Sequence, residues 1–64
     1  MKKFVLKSKL LKIVPFIGKE MSANWNEAVK TPNEAIQFDS YEQAKEYAKK
    51  KKILRDVEIV EVEL

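Results

Sequence analysis

The chain has 64 residues, with no cysteine, no histidine, one glycine and two prolines; 45% of it is apolar and its net charge is +3. That composition excludes a disulfide scaffold, the common His/Cys zinc sites and a His-assisted nucleophile, and it argues against disorder. A domain this small buries only about 60% of the surface its unfolded chain exposes, so an unusually regular fold or self-association is the expected source of stability.

Residues 3–10 alternate. Phe4, Leu6, Ser8 and Leu10 fall on one parity and Lys3, Val5, Lys7 and Lys9 on the other, the period of a half-buried strand. A second strand is predicted over residues 19–25, with Lys19, Met21, Ala23 and Trp25 on one side. Between them runs Leu11-Lys12-Ile13-Val14-Pro15-Phe16-Ile17-Gly18, where proline and glycine mark a reversal. The first half therefore reads as a hairpin with a long apolar tip. Trp25 is expected in the core beneath a helix.

Residues 30–40 form a connection containing Thr31-Pro32-Asn33 and ending on Phe38. Ser40 is the expected N-cap of a helix, with Gln43 three residues on completing a capping box. Tyr41, Ala44, Tyr47, Ala48 and Lys51 follow at helical spacing, giving a slim apolar stripe. Glu42 and Glu46 lie early and the lysines 49–52 late, matching the helix dipole. The last strand covers residues 57–64. Val60, Val62 and Leu64 share one parity there, but Ile59 sits on that of Glu61 and Glu63; a bulge and a second partly buried face are the two explanations.

This order predicts one α+β domain over residues 1–64, with ββαβ topology. Its three-stranded antiparallel sheet has the order 2-1-3, and one helix covers a single face. Every charged side chain before residue 20 is a lysine, whereas Asp56, Glu58, Glu61 and Glu63 carry the end. Neighbouring first and last strands would set Lys3, Lys7 and Lys9 against Glu61 and Glu63, a match worth about 0.2–1 kcal/mol per good pair. The helix is expected over Phe4, Leu6, Val60 and Val62.

Catalysis is not expected. The acidic residues of the last strand face lysines, one glycine cannot build a phosphate loop, and Asn33, Glu34 and Asp39 are too sparse for an oxygen-ligated metal. No cofactor is expected. No apolar run approaches the roughly 18 residues of a membrane span. Lys7, Lys9 and Lys12 interrupt any signal-peptide core, and no small-residue cleavage site follows. A cationic amphipathic helix at a membrane surface is disfavoured by Pro15 and by the strand-like alternation. The lack of cysteine is compatible with the cytoplasm.

The layout of Trp25, then Ala35-Ile36-Gln37-Phe38-Asp39-Ser40-Tyr41-Glu42-Gln43-Ala44, then Val57-Glu58-Ile59-Val60 resembles small proteins common in phages and prophages of Gram-positive bacteria. These open on a Lys/Val-rich strand and continue with a Trp-containing strand, an A-x-x-F-x-S-x-x-x-A helix entry and an acidic-hydrophobic strand. The chain departs from them in its apolar stretch over residues 10–17. The resemblance implies a non-enzymatic binder of a host protein, working in the host cytoplasm.

The expected function is a small accessory or inhibitory protein that occludes a partner's surface. The expected contact set is Leu11, Ile13, Val14, Phe16 and Ile17, supported by Lys12 and Lys19, because apolar patches rimmed by charge mark interfaces. A homodimer joining uncovered sheet faces through Val5 and Ile59 is a further expectation. The alternative is a basic nucleic-acid-binding protein using Lys49, Lys50, Lys51, Lys52 and Arg55.

Overall fold

A computed structural model describes residues 1–22 and 25–64. The α+β class holds, with one helix, but the sheet has four strands rather than three. These are β1 (Lys2–Ser8), β2 (Phe16–Ser22), β3 (Trp25–Val29) and β4 (Val57–Glu63), in the antiparallel order β3-β2-β1-β4. Helix α1 (Tyr41–Lys50) and a 3-10 turn (Leu54–Asp56) precede β4. The predicted order 2-1-3 survives as β2-β1-β4, with β3 added at the edge.

The second strand was expected three residues too late. Its predicted span ends on Trp25, which instead opens β3, while Ala23 and Asn24 of that prediction lie outside the described residues. Asn26, Glu27 and Ala28 carry no apolar alternation, so nothing in their pattern announced a strand. Gly18 does not make a reversal either; it is buried inside β2. A Cβ there would stand 2.7 Å from Glu27 Cγ and 2.9 Å from Val29 Cγ1, so glycine permits the close approach of β3.

Val5 and Leu6 are both fully buried. Adjacent strand residues point to opposite faces, so β1 is covered on both sides. On one face Leu6, Ala44, Ala48 and Val57 form a cluster joined by Phe4, Ile17, Phe38, Tyr47, Ile53, Leu54 and Ile59. The two alanines let the helix backbone sit close to the sheet. On the other face Val5, Val29 and Ala35 pack with Phe16, Val60 and Val62. Each fully buried aliphatic side chain contributes about 1.5–3 kcal/mol.

The β1–β4 register runs unbroken from Lys2↔Glu63 to Ser8↔Val57. There is thus no bulge in β4, and a second buried face explains its mixed phase. The register also corrects the expected faces. Leu6 lies opposite Ile59 and Val5 opposite Val60, so α1 covers Val57 and Ile59, while Val60 and Val62 look the other way. The charge match survives with different partners: Lys7 stands opposite Glu58 and Lys2 opposite Glu63. Lys2 pairs diagonally with Glu61 at 3.8 Å, and Lys3 pairs with Asp39.

The second face is covered by the connection after β3. Residues 31–35 turn tightly, with Glu34 N donating to Thr31 O and Ala35 N to Pro32 O, both at 3.2 Å. The chain then passes between β2 and β1. Ile36 N donates to Ile17 O at 3.1 Å, and Phe38 exchanges both backbone hydrogen bonds with Phe4 at 2.9 Å. β2 meets β1 at Lys7↔Phe16, and beyond that point the connection fills the gap. Ala35 therefore packs on one face and Phe38 on the other. Ser40 follows as the N-cap, its Oγ accepting from Gln43 N at 3.2 Å. Gln43 Oε1 accepts in return from Asp39 N at 3.0 Å, one residue earlier than a standard capping box.

Candidate functional site

Two surfaces stand out among the described residues: the β1–β2 loop and a groove on the flank of α1. The loop is closed by its own sequence. Ser8 N donates to Pro15 O at 2.6 Å, and Ser8 Oγ accepts from Leu10 N at 3.1 Å and Leu11 N at 3.2 Å. Lys9 N donates to Asp56 O at 2.9 Å, anchoring the loop to the turn before β4. One serine thus satisfies two loop amides that would otherwise need water.

On this clamped base the aliphatic side chains point outward. Leu10 is 73% exposed, Leu11 44% and Ile13 83%. Lys9 and Lys12 are exposed beside them, and Lys7, Lys9, Lys12, Pro15 and Glu58 line a shallow hollow at the loop's base with Leu11. Of the predicted contact residues, Leu11, Lys12 and Ile13 are exposed here and Val14 is half-buried. Phe16 and Ile17 do not belong to the surface set, because each packs into a core cluster on opposite faces of β2. Lys19 is exposed on β2 but does not line the hollow. Leu10 belongs to the apolar tip but stands outside the expected contact set; it continues the core parity of Phe4 and Leu6, yet β1 ends at Ser8 and it is exposed.

The expected dimer face does not exist as drawn. Val5 is fully buried on one side of the sheet, and Ile59 packs against the helix cluster on the other. Trp25, expected in the core, is 55% exposed at the start of β3.

The basic cluster also divides. The helix ends at Lys50 and the chain turns at Lys51 and Lys52, so the four consecutive lysines do not share one surface. Lys51 turns inward: its Nζ pairs with Glu20, lies 5.7 Å from the centroid of the Tyr47 ring, and its side chain is only 10% exposed. Tyr47 Oη accepts from Asn26 Nδ2 at 2.8 Å and donates to Glu20 at 3.3 Å, while Asn26 Nδ2 also reaches Gly18 O at 3.0 Å. This network ties the end of α1 to β2 and β3. The hydrogen bond from Lys51 holds the Glu20 carboxyl below its ordinary pKa. Lys49, Lys50, Lys52 and Arg55 remain exposed. The helix ends in a Schellman motif, with Ile53 N donating to Ala48 O and Lys52 N to Lys49 O, both at 3.0 Å. Lys52 occupies the left-handed position at φ 62°, where glycine is usual.

The groove was not legible in the sequence. Phe38 and Tyr47 form its floor, with ring centroids 5.2 Å apart and planes inclined by 50°. Glu42, Gln43, Glu46 and Lys50 rim it, enclosing an open volume of about 670 Å³ that is lined mainly by apolar atoms. From the sequence alone, Gln43 has a capping role, Glu42 and Glu46 match the helix dipole and Lys50 has a place in the basic cluster; Phe38 arrives through the gap in the sheet, which spacing along the helix cannot reveal.

Among the described residues no group of three acidic, histidine or cysteine side chains is placed to hold a metal ion, and no helix is long and apolar enough to cross a membrane. A scan of family models finds no match, and comparisons with curated proteins and with solved structures also find none.

Proposed function

We propose that this chain is a small non-enzymatic binding protein that works by stoichiometric contact, covering a partner protein's surface with its β1–β2 loop. Its role is that of an accessory or inhibitory protein of a phage or mobile element. The observation that carries this reading is the exposure of Leu10, Leu11 and Ile13 on a loop whose base is clamped by Ser8, Pro15 and Asp56. Burying such side chains is worth about 1.5–3 kcal/mol each, and the fold leaves that free energy unused. A clamped loop also loses little conformational entropy on docking. Lys9 and Lys12 supply a polar rim that selects an acidic surround on the partner.

The test is retention of a partner by immobilised wild-type chain and by Ile13→Asp. The variant should lose the partner with an unchanged circular dichroism spectrum, and the purified pair should titrate one to one. Equal retention by both forms would sink the proposal.

A further inference from the structure

We propose that the β1–β2 loop of one molecule seats in the α1 groove of a second copy, so that the chain associates head to tail with itself. This rests on the reading of the loop as a contact surface. The two surfaces differ in charge. The loop presents exposed Leu10 and Ile13, with Lys9 and Lys12 exposed beside them. The groove is an open depression, with Phe38 and Tyr47 as its floor and Glu42, Glu46 and Lys50 on its rim. Aliphatic side chains meet aromatic faces while two ammonium groups meet two carboxylates. Lys50, at the far end of the groove from Glu42 along the helix, sets which way round the loop enters.

Charge also disfavours a two-fold loop-to-loop contact, which would bring Lys9 and Lys12 against their own copies. Like charges opposed in this way oppose association. Both surfaces are prepared in the single molecule. Ser8 holds the loop, and the Tyr47 ring is fixed through its hydroxyl by Asn26 and Glu20, so little ordering is left to docking. Because donor and acceptor are different patches, the contact is heterologous and propagates, as a closed ring or an open chain.

Sedimentation of the wild-type chain from low micromolar to millimolar concentration should show a mass rising beyond that of a dimer, and added salt should weaken the association. Ile13→Asp removes the donor surface and Glu46→Lys reverses the acceptor. Both positions are exposed, and thermal melts followed by circular dichroism verify that each variant folds. Each should associate with itself at least about tenfold more weakly than wild type. Mixed together they should form a one-to-one heterodimer and stop there, since each retains the one surface the other needs.

A monomeric wild-type chain across the whole range would overturn the proposal, as would a mixture of folded variants that fails to pair. Undiminished self-association of Glu46→Lys would assign the contact to another surface and overturn it too. If the chain stays monomeric yet Ile13→Asp still abolishes capture of a different protein, self-docking fails and the loop reading stands. If Ile13→Asp changes neither association nor capture, the loop reading itself fails. Loop-dependent sedimentation with anionic phospholipid vesicles, without self-association, would assign the loop to a bilayer and overturn both.

Discussion

Residues 10–13 and residues 16–17 belong to one apolar run, and they have opposite fates. Leu10 and Ile13 are 73% and 83% exposed, whereas Phe16 and Ile17 pack into the two core clusters. Hydrophobicity does not separate them; position relative to the strand ladder does. The hydrogen bond from Ser8 to Pro15 closes the loop, and Phe16 is the first residue paired with both β1 and β3. Phe16 and Ile17 stand in the ladder and reach the core, whereas Leu10, Leu11 and Ile13 stand outside it and stay in solvent.

The largest expected effect tests that division directly. Phe16→Ala should destabilise the fold by about 2–3 kcal/mol and Ile17→Ala by about 1–2 kcal/mol, below the values for fully buried sites because both are only partly buried. Leu10→Ala and Ile13→Ala should stay within about 0.5 kcal/mol of wild type. Urea denaturation with an unchanged slope is the measurement. Equal losses at Ile13 and Ile17 would erase the distinction.

A smaller effect concerns the clamp. Ser8→Ala removes the acceptor for two loop amides and should cost about 1 kcal/mol. Hydrogen exchange at Leu10 and Leu11 should speed up while that at Phe16 stays slow. Unchanged exchange at Leu10 and Leu11 would show that the serine does not hold the loop.

The lysine run at the end of α1 divides as the apolar run does, with Lys51 turned inward and its neighbours in solvent. The smallest expected effect follows from its partner. Glu20 has a folded pKa below its ordinary value, so its pairing stabilises the fold fully above the unfolded glutamate pKa near 4.3. That contribution is lost as the pH falls through the lower folded value. Glu20→Gln should therefore flatten the acid limb of stability below about pH 4.3 and leave its shape near neutrality unchanged. Thermal melts across that range supply the check; an identical acid limb in both proteins would show that Glu20 and Lys51 do not interact in solution.

Much of the fold was legible. Ser40 and Gln43 announced the helix start through local capping chemistry, and Ala44 and Ala48 announced the buried stripe. The alternation of Phe4 and Leu6 marked the helix-covered face of β1. The faces of β4 were not legible, because Val57, Ile59, Val60 and Val62 fill both parities and only pairing with β1 distinguishes them. The motif residues Ala35 and Phe38 were visible as a spacing. Their placement on opposite faces follows from the passage of the connection through the sheet. At the candidate site the apolar tip could be located, but not where it ended, since Phe16 and Ile17 look like Ile13 and Val14 in isolation.

By itself, the sequence determined what depends on near neighbours along the chain: the capped helix and the first and last strands. Only the tertiary structure decided which apolar residues reach solvent, which lysine turns inward and how Phe38 and Tyr47 meet as a groove. These outcomes depend on long-range pairing, in which a shift of one residue exchanges one face for the other. The loop and the groove are both products of that pairing.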